Sequence, residues 1–164
     1  MKKQKGFSLI ELLIVVAIIL IIAAIAIPNL LRSKMAANES SAAGSVRSIV
    51  TAQVTFNSTY GIGYATTLGA LGGAAIPCTA TSTNACLLDP VITSGTKSGY
   101  ILASSSPGGV ANSTFAASAV PVTLNVTGNA GFCADESLVV RRQVPSPAAG
   151  PTTDTACEAW TALQ

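Results

Sequence analysis

The chain has 164 residues, enough for one domain or a small domain with an appendage. It is 49% apolar and 10% charged, and its net charge of +2 offers no electrostatic footprint for nucleic acid. Histidine is absent, so the commonest general base and zinc ligand are missing, and no metal, cofactor or catalytic residue is read from the sequence.

Lys2, Lys3 and Lys5 supply three of the nine cations; the remaining six face seven acids, so the basicity belongs to residues 1–6. Leu12 to Ile27 is an unbroken run of sixteen Leu, Ile, Val and Ala residues. As a helix it is about 24 Å long, and Phe7 to Ile10 with Leu30 and Leu31 extend it enough to span a ~30 Å hydrocarbon core. The lysines would stay cytoplasmic, placing the C-terminal bulk outside the inner membrane. Glu11 sits in the first turn of this run. An acid costs about 2.5–3.5 kcal/mol at the centre of a spanning helix and less near its end, so its presence needs a reason. Pro28 is expected to kink or weaken the helix near Leu20 to Ala24.

Leu31, Met35, Ala42, Val46, Ile49, Phe56 and Tyr60 then recur mostly at three- and four-residue steps, a one-sided apolar stripe weakened by Gly44 and by β-branched Val50, Thr51, Val54 and Thr55. One helix from about Phe7 to Tyr60 is the simplest reading. Residues 61–97, rich in Gly, Ala, Thr and Ser, read as an irregular loop. Three β-like stretches follow, Tyr100 to Ser104, Thr114 to Asn125 and Gly131 to Arg142. Turn signals at Pro107-Gly108-Gly109, Thr127-Gly128-Asn129 and Asp135-Glu136-Ser137 punctuate them. The expected fold is α+β: an antiparallel sheet of three or four strands packed on the apolar face of the second half-helix. A Pro-rich loop, Pro145 to Thr153, leads to Cys157 and Trp160. The expected organisation is a leader at 1–6, an apolar helix at 7–31 and a globular domain at 32–164. That domain comprises a helix at 32–60, a loop at 61–98, and a sheet with a C-terminal loop at 99–164.

The four cysteines, Cys78, Cys86, Cys133 and Cys157, show no C-x-x-C spacing. An even count beyond an export-like segment reads as two disulfides in an oxidising compartment. Four cysteines allow three connectivities, of which Cys78 with Cys86 and Cys133 with Cys157 is the most economical.

The stretch "KKQKGFSLIELLIVVAIILIIAAIAIPNLL" resembles the N-terminus of a type IV prepilin: a short basic leader ending in Gly6, then Phe7, Ser8, and Glu11 ahead of a long apolar run. Pro28 lies where such pilins commonly kink. The resemblance is close to Leu31 and extends to Tyr60; beyond that only the architecture matches, with "FCADESLVVRR" and a Cys-closed loop fitting the same group. It implies cleavage between Gly6 and Phe7 by a membrane aspartic prepilin peptidase, which also N-methylates Phe7. It implies that Glu11 supplies the counter-charge to the Phe7 amine of a neighbouring subunit, setting register in the filament. The implied partners are further copies of the chain, minor pilins, the prepilin peptidase, an inner-membrane platform protein and an assembly ATPase. The chain would sit in the inner membrane before assembly and in an extracellular filament for adhesion, motility or DNA uptake afterwards.

Three other readings use parts of this pattern. A pseudopilin of a type II secretion system shares the N-terminus, but the long Ser/Thr-rich domain favours a pilus subunit. Ala24-Ile25-Ala26 satisfies the small-x-small rule for signal peptidase, yet Glu11 is out of place in a signal peptide. For a tethered enzyme the raw material is thin: the acids beyond the helix are Asp89, Asp135, Glu136, Asp154 and Glu158. The adjacent Asp135 and Glu136 would point to opposite sides of a strand or sit in a turn, a poor acid–base pair.

Overall fold

The computed structural model describes residues 8–73, 77–106 and 113–163. Gly6, Phe7 and the expected Pro107-Gly108-Gly109 turn lie outside the described residues. The chain divides into two units, Met1–Lys34 and Met35–Gln164, and one helix of 52 residues, α1 (Leu9–Tyr60), contributes to both. In the first unit α1 continues through Pro28 without a break. That proline has no N–H to give the carbonyl of Ala24, so one bond of the helical ladder is missing there.

In the second unit α1 turns Ala42, Ala43, Val46, Ile49, Val50, Ala52, Gln53 and Phe56 inward. The buried stripe therefore starts at Ala42, not at Leu31, which is exposed. The helix stops at Gly61, whose φ of 64° suits a residue without a Cβ and whose N–H reaches the Asn57 carbonyl at 2.9 Å.

Among the described residues the sheet is a meander of six antiparallel strands in chain order: β1 (Thr96–Lys97), β2 (Tyr100–Ser105), β3 (Ala116–Pro121), β4 (Gly131–Asp135), β5 (Arg141–Gln143) and β6 (Thr161–Ala162). Three or four strands were expected. Two of the six are two residues long, too short for alternation to register in sequence. The stretch from Gly131 to Arg142 is two strands, split by a turn at Asp135. Strand β3 ends at Pro121, short of Asn125, and the chain then turns through Asn125 at φ 62°.

The described residues of 61–97 include short helical elements as well as loop. Leu68–Leu71 forms a 3-10 turn, and α2 (Pro90–Thr93) starts with Asp89 as N-cap, its side chain accepting from the Val91 N–H at 2.6 Å. Asp-Pro at a cap and first helical position is a start signal legible in sequence. Near the C-terminus α3 (Asp154–Glu158) is capped by Thr153.

Strand β2 alternates buried and exposed residues, whereas β3 is buried as far as Val120 and β4 throughout. The central strands must therefore be covered on both faces. On one face Ala117, Ala119, Phe132 and Ala134 join the α1 residues in the main core. On the other, Cys133, Cys157 and Trp160 form a small second cluster. Small residues permit this close cover: a Cβ on Gly131 would collide with Ser146 and the Trp160 ring.

Polar groups fix α1 on the sheet. Fully buried Gln53 donates from Nε2 to the Ala65 carbonyl at 3.0 Å and the Ser104 hydroxyl at 2.9 Å, and its Oε1 accepts from the Ala65 N–H at 2.8 Å. One turn from the unit's start, Glu39 Oε1 accepts from the N–H groups of Asn129 and Ala130 at 2.9 and 3.0 Å. Its Oε2 lies 3.5 Å from Arg142. The buried Tyr100 hydroxyl donates to the Ala130 carbonyl at 2.9 Å. Burial first, and the Glu39 charge second, push its phenol well above the usual tyrosine range, with Arg142 pulling the other way, so it remains a donor.

Disulfides join Cys78 to Cys86 and Cys133 to Cys157, with Cα separations of 6.1 and 5.9 Å. By chain entropy the shorter loop contributes about 2.6 kcal/mol and the longer about 3.5 kcal/mol. Replacing Cys133 and Cys157 together by Ala should lower the urea midpoint more than the same change at Cys78 and Cys86, because it also opens the cluster with Trp160. Equal midpoints for the two variants would contradict this ranking.

Candidate assembly site

Helices in soluble proteins hide an apolar face. In the first unit α1 hides none. From Leu9 to Leu31 sixteen large apolar side chains are 45–79% exposed. Among the described residues this is the one helix long and apolar enough to cross a membrane. Left in water, those side chains would cost on the order of tens of kcal/mol at ~1.5–3 kcal/mol each. The surface is all-round rather than one-sided, so a single flat partner would not cover it; lipid or several like helices would.

Glu11 is the acidic residue of the first turn. The Ser8 N–H donates to its Oε2 at 2.9 Å, and the Leu12 N–H donates to the Ser8 carbonyl at 3.3 Å. Ser8 is thus the residue before the helix and Glu11 the third within it, reaching back to satisfy an N–H that the helix itself leaves unpaired. Ser-x-x-Glu is the sequence signature of a capping box, and it stands in "SLIE" at Ser8 to Glu11. Reading Glu11 only as a charge to be tolerated overlooked this second role. In a medium without water an unpaired N–H is expensive, which makes a carboxylate at this depth less anomalous.

A family model described as the prokaryotic N-terminal methylation motif matches residues 1–27. The type IV major pilin protein PilA of Myxococcus xanthus is 48% identical over 54 residues, which is 33% of this chain and 24% of that protein. The type IV wide pilus major component PilA4 of Thermus thermophilus is 62% identical over 39 residues, 24% of this chain and 30% of that protein. The N-terminal part of the chain is similar to those of type IV major pilins. The likeness covers less than a third of either relative's length, and no solved structure matches the chain. The long N-terminal helix and the antiparallel sheet against its second half are nevertheless the α+β architecture expected from the sequence, consistent with the pilin fold.

The remaining residues singled out from sequence lie apart from Glu11 in the chain. Pro28 is inside α1, and both disulfides belong to the second unit. Asp135 and Glu136 do not form a catalytic pair: Asp135 is buried, 3.7 Å from Arg141, while Glu136 accepts from the Phe115 N–H at 3.5 Å. Among the described residues no group of three or more His, Cys, Asp or Glu is placed to hold a metal ion.

If Glu11 caps the pilin-type helix, Glu11→Ala should speed amide exchange at Ser8 by roughly fivefold in a micelle-bound peptide of residues 7–31, the equivalent of about 1 kcal/mol. Glu11→Gln, which keeps an acceptor oxygen, should speed it less. Unchanged exchange in both variants would contradict the cap.

Proposed function

We propose that the chain is the structural subunit of a type IV pilus and acts by polymerisation rather than catalysis. The observation that carries this reading is an all-round exposed apolar helix with a single carboxylate in its first turn, within a matched methylation motif. A membrane-embedded helix loses nothing hydrophobic when like helices replace the lipid around it. Bundled helices at the centre of a filament therefore provide a second environment of similar free energy, outside the cell.

In this reading the prepilin peptidase cuts between Gly6 and Phe7 and methylates the new amine. Cleavage removes Lys2, Lys3 and Lys5, the charges that would hold the helix at the cytoplasmic face. The Phe7 ammonium then needs an anion in an apolar setting. Glu11 provides it for a neighbouring copy, and its two oxygens let it accept from its own Ser8 N–H as well. Such a pair is better suited to fixing register than to adding stability. An ATPase and a platform protein in the inner membrane would drive extraction, and minor pilins would join the same filament.

The mature chain should begin at Phe7, carry one extra methyl group and weigh about 0.7 kDa less than the precursor, a loss set by six residues of ordinary mass. Gly6→Val should leave precursor in the inner membrane. Intact mass and N-terminal sequencing check both, and a mature start at Ile27 would support signal-peptidase cleavage instead. Glu11→Ala should insert and be cleaved normally, yet give few or no filaments by electron microscopy. Abundant normal pili from that variant would remove the register role.

A further inference from the structure

The turn between β4 and β5 places Leu138 at φ 64°, a left-handed conformation that is strained for a bulky side chain. The side chain is 56% exposed. A rigid frame holds it there. The Leu138 N–H donates to the Asp135 carbonyl at 3.0 Å, and buried Asp135 accepts from the Ser137 N–H at 2.9 Å and from the Ser137 hydroxyl. Gly or Asn at this position would relieve the backbone. A strained, exposed and well-braced apolar side chain is suited to a partner.

Leu138 lines a groove of ≈ 400 Å³ with Val50, Val54 and Val140, with Arg47 at its border. Arg47 is exposed and, among the described residues, in no salt bridge. Thr51 and Thr55 of α1 border this groove on one side of the helix and line a second hollow with Leu87 and Leu88 on the other. Beside that second hollow, Asp89, Pro90 and Val91 make an exposed corner, fixed by the bond from the Val91 N–H to Asp89 and carrying a carboxylate in no salt bridge among the described residues. One flank of the helix thus offers an apolar groove with a free cation, and the other offers an apolar corner with a free anion.

We propose that the groove beside Arg47 receives the Asp89–Val91 corner of a second copy of this chain. The groove and the corner are different surfaces of one molecule, so each copy can offer its groove to one neighbour and its corner to another, a heterologous contact that builds an open filament when its rotation does not close. The inference rests on the filament reading above and names a lateral contact for it, made by the second unit and separate from the apolar helix.

The test is the yield of sheared filaments from cells making the full chain. Arg47→Glu and Asp89→Arg should each lower it at least about tenfold, since each puts like charges against each other in a partly desolvated contact. Making the two variants together in one cell should restore filaments, because alternating copies then meet with opposite charges at every contact. Leu138→Asn, whose side chain tolerates the left-handed backbone, should leave the amount of disulfide-bonded chain unchanged and still reduce filaments. Wild-type yields from all three single variants would overturn the contact. So would a failure of the mixed pair to restore filaments, which would give the groove a different occupant. Glu11→Ala separates the two readings: filaments lost there but retained in every groove variant would leave the pilus subunit standing and remove this contact alone.

Discussion

A helix whose large apolar side chains are exposed on every side is the constraint from which the rest follows. Sixteen large side chains between Leu9 and Leu31 face outward in every direction, and water is not an acceptable surrounding for them. The second unit closes its own core with Ala42 to Phe56 on one face of its sheet and with the Cys133–Cys157 cluster on the other. What remains is lipid or other copies of the same helix. In the filament reading the helix exchanges one for the other, a task set by geometry rather than by chemistry.

Glu11 concentrates that geometry in one residue. Its carboxylate satisfies a backbone N–H of its own chain, and in the filament reading it also meets the amine of a neighbour. The two demands are compatible because a carboxylate accepts at both oxygens. A glutamine would meet the first and a charge elsewhere the second, but only an acid three residues into the helix meets both. The second unit follows a related logic with Gln53 and Glu39. Gln53 is buried and Glu39 half-buried, and each uses its side chain to bind backbone groups of a loop or strand, so that the helix has one seating on the sheet rather than several of similar energy.

The helix was legible from sequence almost to its ends, because sixteen apolar residues and then a three-and-four stripe leave few alternatives, and Tyr60-Gly61 is a plain stop. The α+β class was legible for the same reason. The strand count was not: Thr96–Lys97 and Thr161–Ala162 are held by their neighbours in the sheet rather than by any pattern of their own. The stripe was placed too early, since periodicity cannot tell that Leu31 repeats the spacing of the core without belonging to it. Gln53 was invisible because a polar residue on an apolar face looks like an error until its three hydrogen bonds are seen. The cap at Ser8 and Glu11 was legible and passed over. Gly6 and Phe7 rest on motif alone, outside the described residues. Leu138 and its left-handed backbone had no signal in the sequence at all.

The central claim is that the helix from Leu9 to Leu31 exchanges lipid for its own kind. A photoreactive residue placed at Ile19, deep in the apolar run, reports its neighbours directly. In filaments sheared from cells and washed free of lipid, illumination should link chain to chain through this position, giving dimers and higher ladders on a denaturing gel. In membranes of cells unable to assemble filaments, the same residue should label lipid. Filaments in which position 19 forms no chain-to-chain link would contradict the account, because the helix would then lie somewhere other than among its own copies.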